Sequence, residues 1–177
     1  SSKIHKLLFE LGGKDPAIVC SDADMAYAAK KIVRSACNNT GQVCCAVERV
    51  YVEANAYDKF VSKAVEEAKA IKVGNPELAK TEIGPFASKF QMDVCIDHLN
   101  DAQSKGAKIE FGGKRIKGKG YFFEPTVITN IDHSMKIMTD ETFAPIIPIM
   151  KVNSIDEAIR YANDSIYGLT GSVWTKD

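Results

Sequence analysis

Two stretches of the sequence carry residues whose type and setting could do chemistry. In Asn39-Thr40-Gly41-Gln42-Val43-Cys44-Cys45 a thiol sits in a glycine-containing turn, between a segment of helical periodicity and an apolar run. Backbone N–H groups in such a turn are free to point at a bound oxygen, and the side chain can project into a cleft. That suits a nucleophile, although a free thiol titrates near about 8.5 and needs a local dipole or cation to ionise at neutral pH. The competing reading, which composition alone favours, makes Cys44 and Cys45 small buried hydrophobes. In Phe9-Glu10-Leu11-Gly12-Gly13-Lys14 a carboxylate ends an apolar run, beside glycines that let backbone approach a ligand. Partial burial would raise the pKa of Glu10 and make it a general base. A surface glutamate ahead of a turn is an equal alternative.

These residues need elements to hold them. Apolar runs at 7–9 and 16–20, broken by Gly12-Gly13, predict two buried strands around a tight turn. Asp22 is the expected N-cap of a helix running to about Ala36, with Met25, Ala29, Ile32 and Val33 on one face. Further strands are expected at 49–52, 108–111, 125–128, 146–152 and 169–174. Helices are expected at 57–71, 88–104 and 155–162, the second stopped by Gly106. Strands alternating with helices predict an α/β domain with a mainly parallel sheet. The glycine-rich basic stretch Gly112–Gly120 lacks the ending of a phosphate-binding loop and does not run into a helix, so it reads as a solvated hairpin.

Bulk properties exclude several classes. At 177 residues and 45% apolar content, the chain fits one domain or one lobe of a larger protein. Lys plus Arg and Asp plus Glu number 23 each, so no global field draws it to nucleic acid or an anionic membrane. Five cysteines, two adjacent, suit a reducing compartment and a cytoplasmic protein better than a disulfide framework. No cysteine pair has Cys-x2-Cys spacing and no histidine lies at ligand spacing, so no metal is expected. No apolar run reaches the roughly 18 to 20 residues of a membrane span, and the stretch Ser1-Ser2-Lys3-Ile4-His5 lacks the apolar run expected of a signal peptide. The abrupt apolar segments near both ends predict excision from a longer chain.

Taken together the motifs resemble those of the aldehyde dehydrogenase superfamily. Glu10-Leu11-Gly12-Gly13-Lys14 is similar to its glutamate signature and Asn39-Thr40-Gly41-Gln42-Val43-Cys44 to its cysteine signature, in the same order and at about the same spacing. Asp140-Glu141-Thr142-Phe143-Ala144-Pro145 resembles its acidic–aromatic segment, and Gly84-Pro85, Phe123-Glu124-Pro125-Thr126 and Tyr167-Gly168-Leu169 extend the likeness over the full length. The resemblance implies a three-layer α/β/α catalytic domain spanning 1–177, whose cofactor-binding domain and oligomerisation segments lie outside this chain. It implies aldehyde oxidation with NAD or NADP, with Cys44 as nucleophile and Glu10 as base. Glu141, Phe143 and Gly12 would face the cofactor's riboside, and the full-length enzyme would be a homo-oligomer acting on a small aldehyde.

Three positions depart from the pattern. Cys37 stands where phenylalanine is usual, Asp140 where glutamate is commoner, and Ala144 where glycine is usual, adding a methyl near the expected riboside pocket. The rival functions are a cysteine-dependent esterase or hydrolase, for which none of His5, His98 and His133 sits in a recognisable motif, and a non-catalytic interaction module.

Overall fold

The computed structural model describes residues 4–177. The strands are β1 (Asp15–Val19), β2 (Val47–Glu53), β3 (Lys108–Phe111), β4 (Thr126–Thr129), β5 (Ile146–Val152) and β6 (Ser172–Trp174). The helices are α1 (Met25–Cys37), α2 (Ala54–Ala70), α3 (Lys89–Ser104), α4 (Lys136–Thr139) and α5 (Ile155–Asn163). One sheet runs β3-β4-β5-β2-β1-β6, all neighbours parallel except the antiparallel β3–β4 pair.

A strand's side chains alternate between faces, and here both faces are apolar, as a covered parallel sheet requires. Ala17, Val19, Val50, Val52, Val127, Ile147 and Ile149 point to one core with α1 and α2. Ile18, Tyr51, Ile128, Ile146 and Val152 point to a second core with α3, α4 and α5. The result is the expected α/β/α sandwich.

Two expectations fail. Residues 7–9 form no strand: β1 is already paired on both sides and offers them no free edge, and Leu7, Leu8, Phe9 and Leu11 are exposed. The cap of α1 is Asp24, whose Oδ1 accepts the N–H groups of Ala26 and Tyr27 at 3.1 Å each. Asp22 serves elsewhere, accepting the Lys176 N–H at 2.8 Å and so fastening the segment after β6. The Gly112–Gly120 stretch is an open hairpin, with Ile116 N–H donating to Phe122 O and Glu124 N–H to Lys114 O.

Helix α1 delivers the cysteine turn, so its cap matters to the site. Asp24→Ala is expected to cost about 1 kcal/mol of unfolding free energy, read as a lower urea midpoint at unchanged slope. An unmoved midpoint would remove Asp24 from the cap.

Candidate active site

The segments entering β1, β2 and β5 carry the motif residues, and these three strands are adjacent in the sheet. Because they run parallel, their entry loops meet at one edge. After α1 the chain makes one 3-10 turn, Asn38–Gly41, in which Asn39, Thr40 and Gly41 have φ of 49°, 64° and 74°. Thr40 Oγ1 donates to Gly84 O at 3.0 Å, and the Gln42 side chain accepts the Ala87 N–H at 2.9 Å. These bonds hold a conformation that a β-branched residue rarely adopts. Gly41 has no alternative, because a Cβ there would overlap the Ala144 carbonyl.

The chain then turns again, Ala46 N–H donating to Val43 O at 3.0 Å, which puts Cys44 and Cys45 at the two corners. Both thiols are exposed, whereas Cys37 and Cys95 are buried. The buried-hydrophobe reading therefore belongs to the latter pair, whose thiols burial pushes far up, that of Cys37 to about 12. Among the described residues the Cys44 N–H has no hydrogen-bond partner, leaving it free for an oxyanion.

Gly13 lies against this turn so closely that a Cβ would overlap the Cys44 carbonyl oxygen. Its N–H donates to Glu141 Oε1 at 2.9 Å, and the same carboxylate covers Gly12. Cys44, the glycines and the acidic segment thus share one surface. Phe143 is half-buried with φ 51°. The Ala144 methyl, which departs from the usual glycine, is buried in the second core. Of the two alternatives for Glu10 the surface one holds: it is exposed, in a segment that joins no strand, two residues before Gly12.

Beneath the surface lies a polar network that the motifs did not announce. Lys14 Nζ donates to Glu48 Oε2 at 2.7 Å and to Thr142 Oγ1 at 3.0 Å, with all three residues buried. Burial pushes the Lys14 ammonium below its ordinary value, against the pull of Glu48. Glu48 also accepts the N–H groups of Thr142 and Phe143, both at 2.8 Å. The available signal was the charge pair Glu48-Arg49 inside an otherwise apolar run.

With this geometry in place, the comparisons assign the chain. The model of the aldehyde dehydrogenase family matches residues 1–177. The chain belongs to the aldehyde dehydrogenase family. It is 42% identical to lactaldehyde dehydrogenase of Escherichia coli, covering 100% of this chain and 37% of that protein. It is also 42% identical to human retinaldehyde dehydrogenase 3, covering 99% of this chain and 34% of that one. The crystal structure of the Escherichia coli lactaldehyde dehydrogenase superposes with a TM-score of 0.92 over 95% of this chain and 35% of that one. Betaine aldehyde dehydrogenase of Staphylococcus aureus, solved in complex with NAD+, gives 0.90 at 42% identity over 95% and 34%. The chain thus spans about a third of the length of these relatives.

None of the described histidines supplies a Cys–His dyad: His98 Nδ1 lies 3.1 Å from Thr142 Oγ1, and His133 Nε2 2.9 Å from Tyr51 Oη. Among the described residues no cluster of three or more metal-ligating side chains occurs, and no helix is long and apolar enough to cross a membrane. Burial pushes both histidines below their ordinary pKa, helped at His98 by the Lys14 ammonium and opposed at His133 by Asp164. Below about pH 6.5 the unfolded chain therefore takes up protons that the folded chain refuses, and stability falls with pH until the folded-state values are passed. The urea midpoint is expected to drop between about pH 7.5 and 5.5, and a His98→Gln/His133→Phe double variant to flatten that drop. A midpoint equally pH-dependent in the double variant would assign the effect to other groups.

Proposed function

We propose that this chain is the cysteine-bearing catalytic domain of an enzyme that oxidises an aldehyde to a carboxylate with NAD or NADP. The observation that carries the reading is the exposed Cys44 thiol, on a turn with a free N–H, packed against the glycine pair that Glu141 covers.

A planar aldehyde is a poor hydride donor. Addition of the Cys44 thiolate makes a tetrahedral thiohemiacetal, whose oxyanion can expel hydride as the carbonyl reforms. The Cys44 N–H would hold that oxyanion, a donor worth roughly 3 to 4 kcal/mol in transition-state energy. A bound nicotinamide cofactor supplies the hydride acceptor. The thioester left on Cys44 is hydrolysed by water, whose proton passes to Glu10, and the carboxylate departs with the Cys44 thiolate restored. The exposure of Glu10 gives that water access.

The residues present fit such a cofactor. Glu141 uses one oxygen on the Gly13 N–H and keeps lone pairs for a diol, over a glycine cradle that a Cβ at Gly12 would fill. Phe143 is partly exposed beside it and would pack on the riboside. Cofactor affinity and the oxyanion hole would be completed by residues beyond these 177, a reading supported by relatives nearly three times as long. The free thiols suit a reducing, cytoplasmic setting, and the whole enzyme would act as a homo-oligomer.

In the intact enzyme, Cys44→Ala is expected to lower aldehyde-dependent NADH formation by more than about a thousandfold. Glu10→Gln should spare the first turnover, seen as a burst of NADH, while slowing steady state by roughly a hundredfold or more. An active Cys44→Ala enzyme would sink the proposal. The 177-residue chain alone is expected to give negligible NADH from aldehyde and NAD, and brisk turnover by it would show that the cofactor site is complete within these residues.

A further inference from the structure

We propose that Glu48, a residue outside the catalytic motifs, is a positioning residue for Glu141 and Phe143. The inference rests on the reading of those two as the riboside contacts, and its geometry stands apart from that reading. Glu48 leaves β2 and reaches the loop before β5 with both oxygens engaged. Oε2 accepts the Thr142 N–H at 2.8 Å and Lys14 Nζ at 2.7 Å, while Oε1 accepts the Phe143 N–H at 2.8 Å.

Thr142 is bolted at its other polar groups as well. Its carbonyl accepts Gln91 Nε2 at 2.8 Å, and its hydroxyl lies 3.0 Å from Lys14 Nζ and 3.1 Å from His98 Nδ1. The residue between the two proposed cofactor contacts is therefore fixed from the segment leading into β1, from β2 and from α3. Phe143 needs such holding, since its φ of 51° is one that side chains rarely adopt. Fixing Thr142 also aims Glu141 back at the Gly13 N–H, 2.9 Å away. An ion pair serving stability alone would require Glu48 to meet Lys14. It would not require the carboxylate to take two consecutive N–H groups of a third segment, one on each oxygen.

Substitution separates the two roles. Glu48→Gln turns one acceptor oxygen into an NH2 group facing an N–H, so one of the two loop amides loses its partner. Lys14→Met keeps both acceptors. Combining them removes the uncompensated ammonium, so the double variant retains the fold where Glu48→Gln alone strands a buried charge.

Amide hydrogen exchange in the 177-residue chain reads the positioning without any activity. Relative to core amides of β2 and β5 in the same variant, exchange at Gly13, Thr142 and Phe143 is expected to quicken roughly tenfold or more in Glu48→Gln and in Lys14→Met/Glu48→Gln, but not in Lys14→Met. In the intact enzyme the same two variants should raise the cofactor KM about tenfold or more, while acylation of Cys44 by a nitrophenyl ester without cofactor stays unchanged. Unchanged exchange at Thr142 and Phe143 in both variants would overturn the proposal, and so would quickened exchange with an unaltered cofactor KM. Failure of the catalytic reading has a separate signature, an aldehyde-oxidising Cys44→Ala enzyme, and leaves the exchange rates as they are.

Discussion

The site depends on one buried ion pair, Lys14 with Glu48, placed where the segment entering β1 and the start of β2 run side by side. Removing one member of such a pair strands a charge and costs about 3 to 5 kcal/mol, yet replacing both with apolar groups of like volume is often neutral. Stability alone therefore does not explain it. What the charges supply is direction. A carboxylate held by one ammonium still has lone pairs to spend, and here they take backbone N–H groups from the loop before β5. Arg49 repeats the device one residue on, its Nε donating to Lys14 O at 2.7 Å and its Nη atoms to the carbonyls of Tyr161 and Ala162. Asp15 does so for the loop before β6, accepting the N–H and hydroxyl of Thr170. Four charged residues at the starts of two neighbouring strands thus fasten three other segments.

The sheet's polarity makes that economy possible. In β5-β2-β1-β6 every pairing is parallel, so four entry segments converge at one edge and four exits at the other. Open α/β sheets commonly bind ligands at the strands' carboxyl ends, where helix N-termini offer N–H groups to anions. The residues grouped here lie at the amino ends instead, and the free donor comes from a turn rather than a helix, namely the Cys44 N–H. A turn presents its corner side chain and its N–H together, which suits capture of a carbonyl carbon and its oxygen more than the gripping of a phosphate.

Much of this was legible because the signals were local. Short apolar runs located β2 to β5 within a few residues, and helical spacing located α1, α2, α3 and α5. Cys44 was picked out by the likeness of Asn39–Cys44 to the family's cysteine signature, because composition alone favoured a buried thiol. The run 7–9 misled because apolarity marks what must be covered without saying by what, and the edges of β1 were already taken. Asp22 and Asp24 were equally good caps by type, and only the hydrogen bonds chose between them. Glu48 and Thr142 stayed hidden for a different reason. They are 94 positions apart and meet only after β2 and β5 have paired, so no spacing within either segment could join them.

Backbone strain follows the same map. Among the described residues four non-glycine residues have positive φ, and three of them, Asn39, Thr40 and Phe143, lie in the cysteine loop and the acidic loop. Each such conformation costs of order 1 to 3 kcal/mol and persists only where neighbours over-determine it. Thr40 is tied to Gly84, Asn39 Nδ2 donates to Gln42 O, and Phe143 is tied to Glu48. Relaxing Asn39 or Thr40 to ordinary backbone would redirect the chain that leads into the Cys44 turn. Relaxing Phe143 would swing Glu141 off the Gly13 N–H. Strain is therefore tolerated where a few residues must present a thiol, an amide and a carboxylate towards one place, and it is nearly absent from the sheet that carries them.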